Sequence, residues 1–191
     1  MSKAKKYLDL GLAYVGLDKD EKAIKSFKKA LRIDPNDAYA HNALGNAYYN
    51  TGKYKEAIKS YKQALRIDPD RRYAHFGLGL AYVELGKYEE AIKSCKQAIR
   101  INPDDADAHN NLGFVYRNLG MYKEAIESYK QVLRIDPDNA DAFYNLGLAY
   151  SDLGKNTESI ESYKQVLRID PDYVDAHFKL GNAYNKLGKH E

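Results

Sequence analysis

Between residues 38 and 50, Ala40, Leu44, Ala47 and Tyr48 recur at spacings of three and four, which puts them on one face of a helix. Thr51-Gly52-Lys53 interrupts that period. Residues 54–67 resume it with Tyr54, Ala57, Ile58, Tyr61, Ala64 and Leu65. Asp68-Pro69 then ends the second segment, because the residue before a proline is pushed out of the α region. The same pair of segments returns every 34 residues, so the pattern predicts five helix pairs and a further helix. The repeats run 4–37, 38–71, 72–105, 106–139 and 140–173, with a terminal helix at 174–188. No Gly/Ser-rich or Pro-rich linker divides them, so a single all-α domain over 1–191 is expected.

The recurrence is close to literal. YKQVLRIDPD stands at 129–138 and again at 163–172, with near-copies at 27–36, 61–70 and 95–104. Position 8 of every repeat is Gly (Gly11, Gly45, Gly79, Gly113, Gly147, Gly181) and position 11 is Tyr (Tyr14, Tyr48, Tyr82, Tyr116, Tyr150, Tyr184). The five prolines each close one full repeat. Gly45, Ala57 and Ala64 are small enough for two antiparallel helices to approach, with Tyr48, Tyr54 and Tyr61 filling the space around them.

The pattern L-G-x-x-Y-x-x-x-G-x-Y-x-x-A-x-x-x-Y-x-x-A-x-x-x-x-P resembles the tetratricopeptide repeat, and it covers essentially the whole chain. The resemblance implies stacked helix pairs in a right-handed superhelical solenoid, with the first (A) helices lining a concave groove and the second (B) helices outside. Departures are local. Asp18 replaces the turn glycine and Asp20 the next tyrosine in the first repeat; in the fifth, Asn156 replaces that tyrosine and Ser159 an alanine, which predicts looser packing there. Cys95 stands where the other repeats carry an aromatic.

Composition narrows the class without naming a partner. Hydrophobic residues make up 44% and charged residues 30%, so a folded chain is expected. Residues 1–105 carry 20 Lys and Arg against 14 Asp and Glu, and residues 106–191 carry 10 against 13. That asymmetry is too weak to point to nucleic acid. MSKAKK followed by YLDLGLAYVGL imitates a signal peptide, but Asp9 interrupts its apolar run and the segment aligns with the repeats, so it reads as the first helix. No run approaches the ~20 apolar residues of a membrane span, so no membrane contact is expected. The single cysteine excludes an intramolecular disulfide and fits a cytoplasmic setting. The last unit stops at Gly188-Lys189-His190-Glu191, where a B helix should begin, which suggests a fragment of a longer array or an end that stacks on a second copy.

No pattern for catalysis emerges: there is no G-x-S-x-G, P-loop or HExxH, and no cofactor or enzymatic activity is expected. His41, His75, His109 and His177 share position 4, one helix pair or more apart, which is too far for shared metal ligation and reads as a packing column. The Asp-Pro-Asp turns stop the B helices and offer caps to the next A helix. Lys28, Lys62, Lys96, Lys130 and Lys164 lie four residues before Arg32, Arg66, Arg100, Arg134 and Arg168 on the B helices. Interleaved acids favour a solvated outer face, with Arg reaching a nearby acidic turn, over a ridge for nucleic acid.

The repeats differ most on the A helices. By the resemblance, positions 2, 5, 6, 9, 12 and 13 face the groove. Leu8, Leu12, Tyr39, Asn42, Asn46, Tyr49, Tyr73, Phe76, Leu80 and Val83 occupy such positions in the first three repeats. Asn110, Asn111, Phe114, Arg117, Tyr144, Asn145, Leu148, Phe178, Lys179 and Asn182 occupy them in the later ones. Aromatic anchors beside amides suit a bound peptide, since the rings bury area and Asn can bond a backbone. The family's clamp for C-terminal carboxylates is missing, because Leu8, Leu12, Ala43, Tyr73 and Gly77 stand at its positions. Its asparagine ladder is also incomplete, with Asp9, Ala43, Gly77, Asn111, Asn145 and Lys179 at position 6. The expectation is a non-catalytic scaffold for a protein or peptide, with a recruiting arm of a larger enzyme or a recombined or designed array as alternatives.

Overall fold

A computed structural model describes residues 2–188; the segment Lys189-His190-Glu191, where a further helix was expected to begin, lies outside them. Eleven helices are found among the described residues: α1 (Lys3–Val15), α2 (Asp20–Ile33), α3 (Ala38–Asn50), α4 (Tyr54–Ile67), α5 (Arg72–Glu84), α6 (Tyr88–Ile101), α7 (Ala106–Asn118), α8 (Tyr122–Ile135), α9 (Ala140–Asp152), α10 (Asn156–Ile169) and α11 (Val174–Lys186). The predicted segments 38–50 and 54–67 coincide with α3 and α4. The helices form two compact units, Met1–Asn102 with α1–α6 and Pro103–Glu191 with α7–α11. Each unit is a stack of helix hairpins.

The turn inside each hairpin follows from backbone chemistry. Gly52 takes φ +71°, Gly52 N–H donates to Tyr49 O and Lys53 N–H donates to Tyr48 O, both at 2.9 Å. These two bonds satisfy orphan carbonyls at the end of α3 in a Schellman cap. Asp18 adopts the same left-handed conformation at φ 54° in the first repeat, without glycine's freedom from a Cβ.

The hairpin core explains the repeated letters. Ala23, Ala57, Ala91 and Ala125 are fully buried, and Phe27, Tyr61, Tyr129 and Tyr163 are at most 1% exposed. A Cβ added to Gly45 would lie 2.6 Å from Tyr61 Cε1, so glycine is required for the ring to lie against the A helix. Burying each such ring contributes about 2–3 kcal/mol. Cys95 is buried in the equivalent place, as a core residue. Ser159, in the repeat where looser packing is expected, is wholly buried and donates a 2.8 Å hydrogen bond to Gly147 O. A paired buried hydroxyl carries little penalty.

Two other columns are resolved by their partners. Each position-4 histidine Nε2 lies 2.8–3.0 Å from a proline carbonyl six residues earlier: His41 to Pro35, His75 to Pro69, His109 to Pro103 and His177 to Pro171. The histidines therefore clasp the turn that enters their own helix and are not simply packing residues. The capping reading also changes. Asp37, Asp105 and Asn139, immediately before α3, α7 and α9, accept the capping N–H bonds at 2.9–3.1 Å, whereas the acid ahead of the proline, as in Asp34 and Asp170, accepts from an N–H two residues on.

On the outer side, Arg100, Arg134 and Arg168 reach Asp70, Asp104 and Asp138 in the preceding turn at 3.6, 2.7 and 3.4 Å. Lys28, Lys62 and Lys164 sit over the rings of Tyr48, Tyr82 and Tyr184 in the following A helix, 5.4–5.9 Å from the centroid. These columns tie one repeat to the next, forward through Lys and backward through Arg.

Candidate functional site

The A helices of successive repeats touch directly, α1 with α3 and α3 with α5 in the first unit, and α7 with α9 in the second. Among the described residues the B helices show no comparable mutual contact, so each unit bends with its A helices on the inner side. That inner side is the candidate site, and each unit carries its own.

In the first unit, Tyr39 and Tyr73 remain 45% and 61% exposed on α3 and α5. Leu12 is also exposed, and Leu8, Phe76, Leu80 and Val83 are half-buried. Arg71 lies over the Tyr39 ring and Arg72 over the Tyr73 ring, at 5.9 and 4.1 Å from the centroids. Two of the polar candidates, Asn46 and Tyr49, are already engaged inside the fold. Asn46 Oδ1 accepts the Tyr61 hydroxyl at 2.8 Å, and Tyr49 donates to Glu84 Oε1 at 3.3 Å while meeting Tyr54 edge-on. Burial and the Glu84 charge raise the Tyr49 hydroxyl above the ordinary phenol range. Asn42 is 8% exposed, and its Oδ1 has no hydrogen-bond partner among the described residues, so it sits beneath the surface it was expected to line.

In the second unit, Phe114 and Phe178 are 43% and 66% exposed. Tyr144 is half-buried, stacked on Tyr173 at 5.3 Å and tilted against Tyr163 at 5.9 Å. Asn110 and Asn145 bond each other at 3.1 Å, and Arg117 Nε donates to Asp152 Oδ2 at 2.6 Å. Asn111 is half-buried and its Nδ2 finds no partner among the described residues. A pocket of about 440 Å³ is lined by residues of α7, α9, α10 and α11. Arg117, Leu148, Ser151, Asp152, Tyr163, Lys179, Asn182, Ala183, Asn185 and Lys186 line it. Lys186 donates to Ser151 Oγ at 3.1 Å, and burial pushes the Tyr163 hydroxyl at the pocket up to about 12.

Asp152, Ser151, Asn185, Lys186 and Glu84 were not among the residues singled out from sequence. A signal for them exists. The inner-face bonds Tyr49–Glu84, Asn110–Asn145, Arg117–Asp152 and Ser151–Lys186 all join residues 35 apart, one repeat plus one residue. Neighbouring A helices therefore meet with a one-residue offset, which the 34-residue period alone does not state. Among the described residues no three His, Cys, Asp or Glu side chains converge as a metal-binding group, and no helix is long and apolar enough to cross a membrane.

The model of a family described as the TPR repeat matches residues 11–52, 45–86, 79–120, 115–154 and 149–188. Among solved structures, the chain is similar to the MamA protein at 30% identity and TM-score 0.81, over 90% of this chain and 94% of that one. It is also similar to YrrB, described as a TPR protein with an unusual peptide-binding site, at 29% identity and TM-score 0.78 over 92% and 91% of the two chains. A thermophilic TPR protein of Thermus thermophilus follows at 26% identity and TM-score 0.72, over 95% and 99%. No curated protein matches the chain.

Proposed function

Because this chain belongs to the tetratricopeptide-repeat family, we propose that the inner face of each unit binds an extended or helical segment of another protein and performs no chemistry on it. The observation that carries this is the row of large rings left in water on that face: Tyr39 and Tyr73 in one unit, Phe114 and Phe178 in the other. Isolated exposed rings need no explanation, but several on one concave face mark an interaction surface, here on the neighbouring helices α3 and α5 and on α7 and α11. Their surroundings are already ordered by the bonds of Asn46, Tyr49, Asn110 and Arg117. Little ordering entropy then falls on this side of the complex. The similarity to YrrB, with its peptide-binding site, supports the same class of ligand. A cytoplasmic setting accompanies this reading, in keeping with a chain that carries a single cysteine.

Selection of a random dodecapeptide library on the 191-residue chain tests the reading. Enriched peptides should lose at least about tenfold in affinity, measured by fluorescence anisotropy, to Tyr39→Ala/Tyr73→Ala or to Phe114→Ala/Phe178→Ala. Failure to enrich any peptide, or undiminished binding to both folded variants, refutes it.

A second reading, self-association, is favoured by α11. Val174 is 77% exposed, and Gly181, unlike Gly45 or Gly147, has no atom of the described residues within 4 Å of the place its Cβ would take. The glycine that receives a B-helix aromatic elsewhere is thus open to a helix from a second copy. Light scattering decides: a strict monomer at high concentration sinks this reading.

A further inference from the structure

We infer that the pocket lined by α7, α9, α10 and α11 selects an acidic side chain, Asp or Glu, of the bound segment. This rests on the inner-face reading above and specifies the chemistry of its partner. Among the described residues, three cations, Arg117, Lys179 and Lys186, line the pocket against a single carboxylate, Asp152. Arg117 and Asp152 neutralise each other at 2.6 Å. Lys186 is held by a neutral partner, the Ser151 hydroxyl, and Lys179 lies 5.9 Å from the centroid of the Phe178 ring. Two lysine charges are therefore left without a carboxylate among the described residues of the lining.

A peptide carboxylate placed between Lys179 and Lys186 supplies that missing charge. Asn182, on the same face of α11, adds an amide donor. The site is a concavity walled by Leu148 and Ala183, where a charge pair is screened less than on open surface. The exposed Phe178 ring, next to Lys179 in the chain, gives an apolar anchor beside the acidic subsite. The expected motif is an Asp or Glu close to an apolar residue.

The dodecapeptide selection is repeated with Lys179→Glu/Lys186→Glu. Lys186 is exposed and Lys179 half-buried on α11, and a circular dichroism melt checks that the variant keeps its fold. The wild-type chain should enrich Asp or Glu beside an apolar position. Replacing that acid by Asn or Gln should weaken binding about 3- to 10-fold, and the difference should shrink as salt rises from about 0.05 to 0.5 M. The double variant should keep the apolar preference and exchange the acidic one for Lys or Arg. Peptides that bind through Phe114 and Phe178 with no acidic preference, or with one unchanged by the charge reversal, overturn this inference and leave the inner-face reading standing. If no peptide is enriched at all, both fall together.

Discussion

Tyr61 is wedged between two glycines, and Gly77→Ala measures how tightly. A Cβ on Gly77 would stand 2.5 Å from Tyr61 Cζ and 2.7 Å from its Oη, while one on Gly45 would stand 2.6 Å from Cε1. The ring has nowhere to retreat, being 1% exposed and tethered by its hydroxyl to Asn46 Oδ1 at 2.8 Å. An overlap of roughly 1 Å against a rigid ring costs about 1–3 kcal/mol. Alanine returns about 1 kcal/mol of helix propensity over glycine, so Gly77→Ala should be destabilising by up to about 2 kcal/mol. In a Tyr61→Cys background, which copies the Cys95 arrangement of the third repeat, the ring is gone and the propensity gain remains. The same Gly77→Ala change should then stabilise by about 1 kcal/mol. The chain has no tryptophan, so the four proteins are compared by urea unfolding followed by far-ultraviolet circular dichroism. If Gly77→Ala has the same sign and size in both backgrounds, the glycine is not there for the ring and the packing argument is wrong.

Three further outcomes are expected. Asp18→Gly removes a side chain from a left-handed backbone (φ 54°) and should raise stability by about 0.5–1 kcal/mol, seen as a higher melting temperature. Arg71 precedes α5 without a side-chain capping bond, where Asp37, Asp105 and Asn139 cap α3, α7 and α9. Arg71→Asp should add about 1 kcal/mol in the same unfolding assay. Burial raises the hydroxyls of Tyr61 and Tyr129 and pushes Tyr163 up to about 12, so the fold favours the neutral phenol. Their contribution is complete below the unfolded tyrosine pKa of about 10 and is lost as pH climbs through the folded values. Urea midpoints should therefore hold to about pH 9.5 and fall toward pH 12, less steeply in Tyr163→Phe; a flat profile to pH 12 contradicts this.

The helices and turns were readable because their causes are local. Apolar spacing of three and four, the glycine at the hairpin turn and the proline after the B helix specify α3 and α4 to the residue. The core role of Cys95 was legible from its place in the 34-residue period. The histidine column reads from sequence as packing alone, and its bond to a carbonyl oxygen is one that no letter of the sequence records. Asn42 and Tyr73 share the inner-face assignment yet are 8% and 61% exposed, since burial depends on what the next helix places opposite.

Sequence alone therefore settles the repeating unit, its turns and its core, where every copy meets the same neighbours and the same side chains satisfy the same contacts. The inner face is decided only when helices from different repeats come together. Arg117 is committed to Asp152 and Lys186 to Ser151 because adjacent A helices meet one residue out of phase with the repeat. That offset is a property of how two helix surfaces pack, and it determines which charges are neutralised within the fold and which are left facing the pocket.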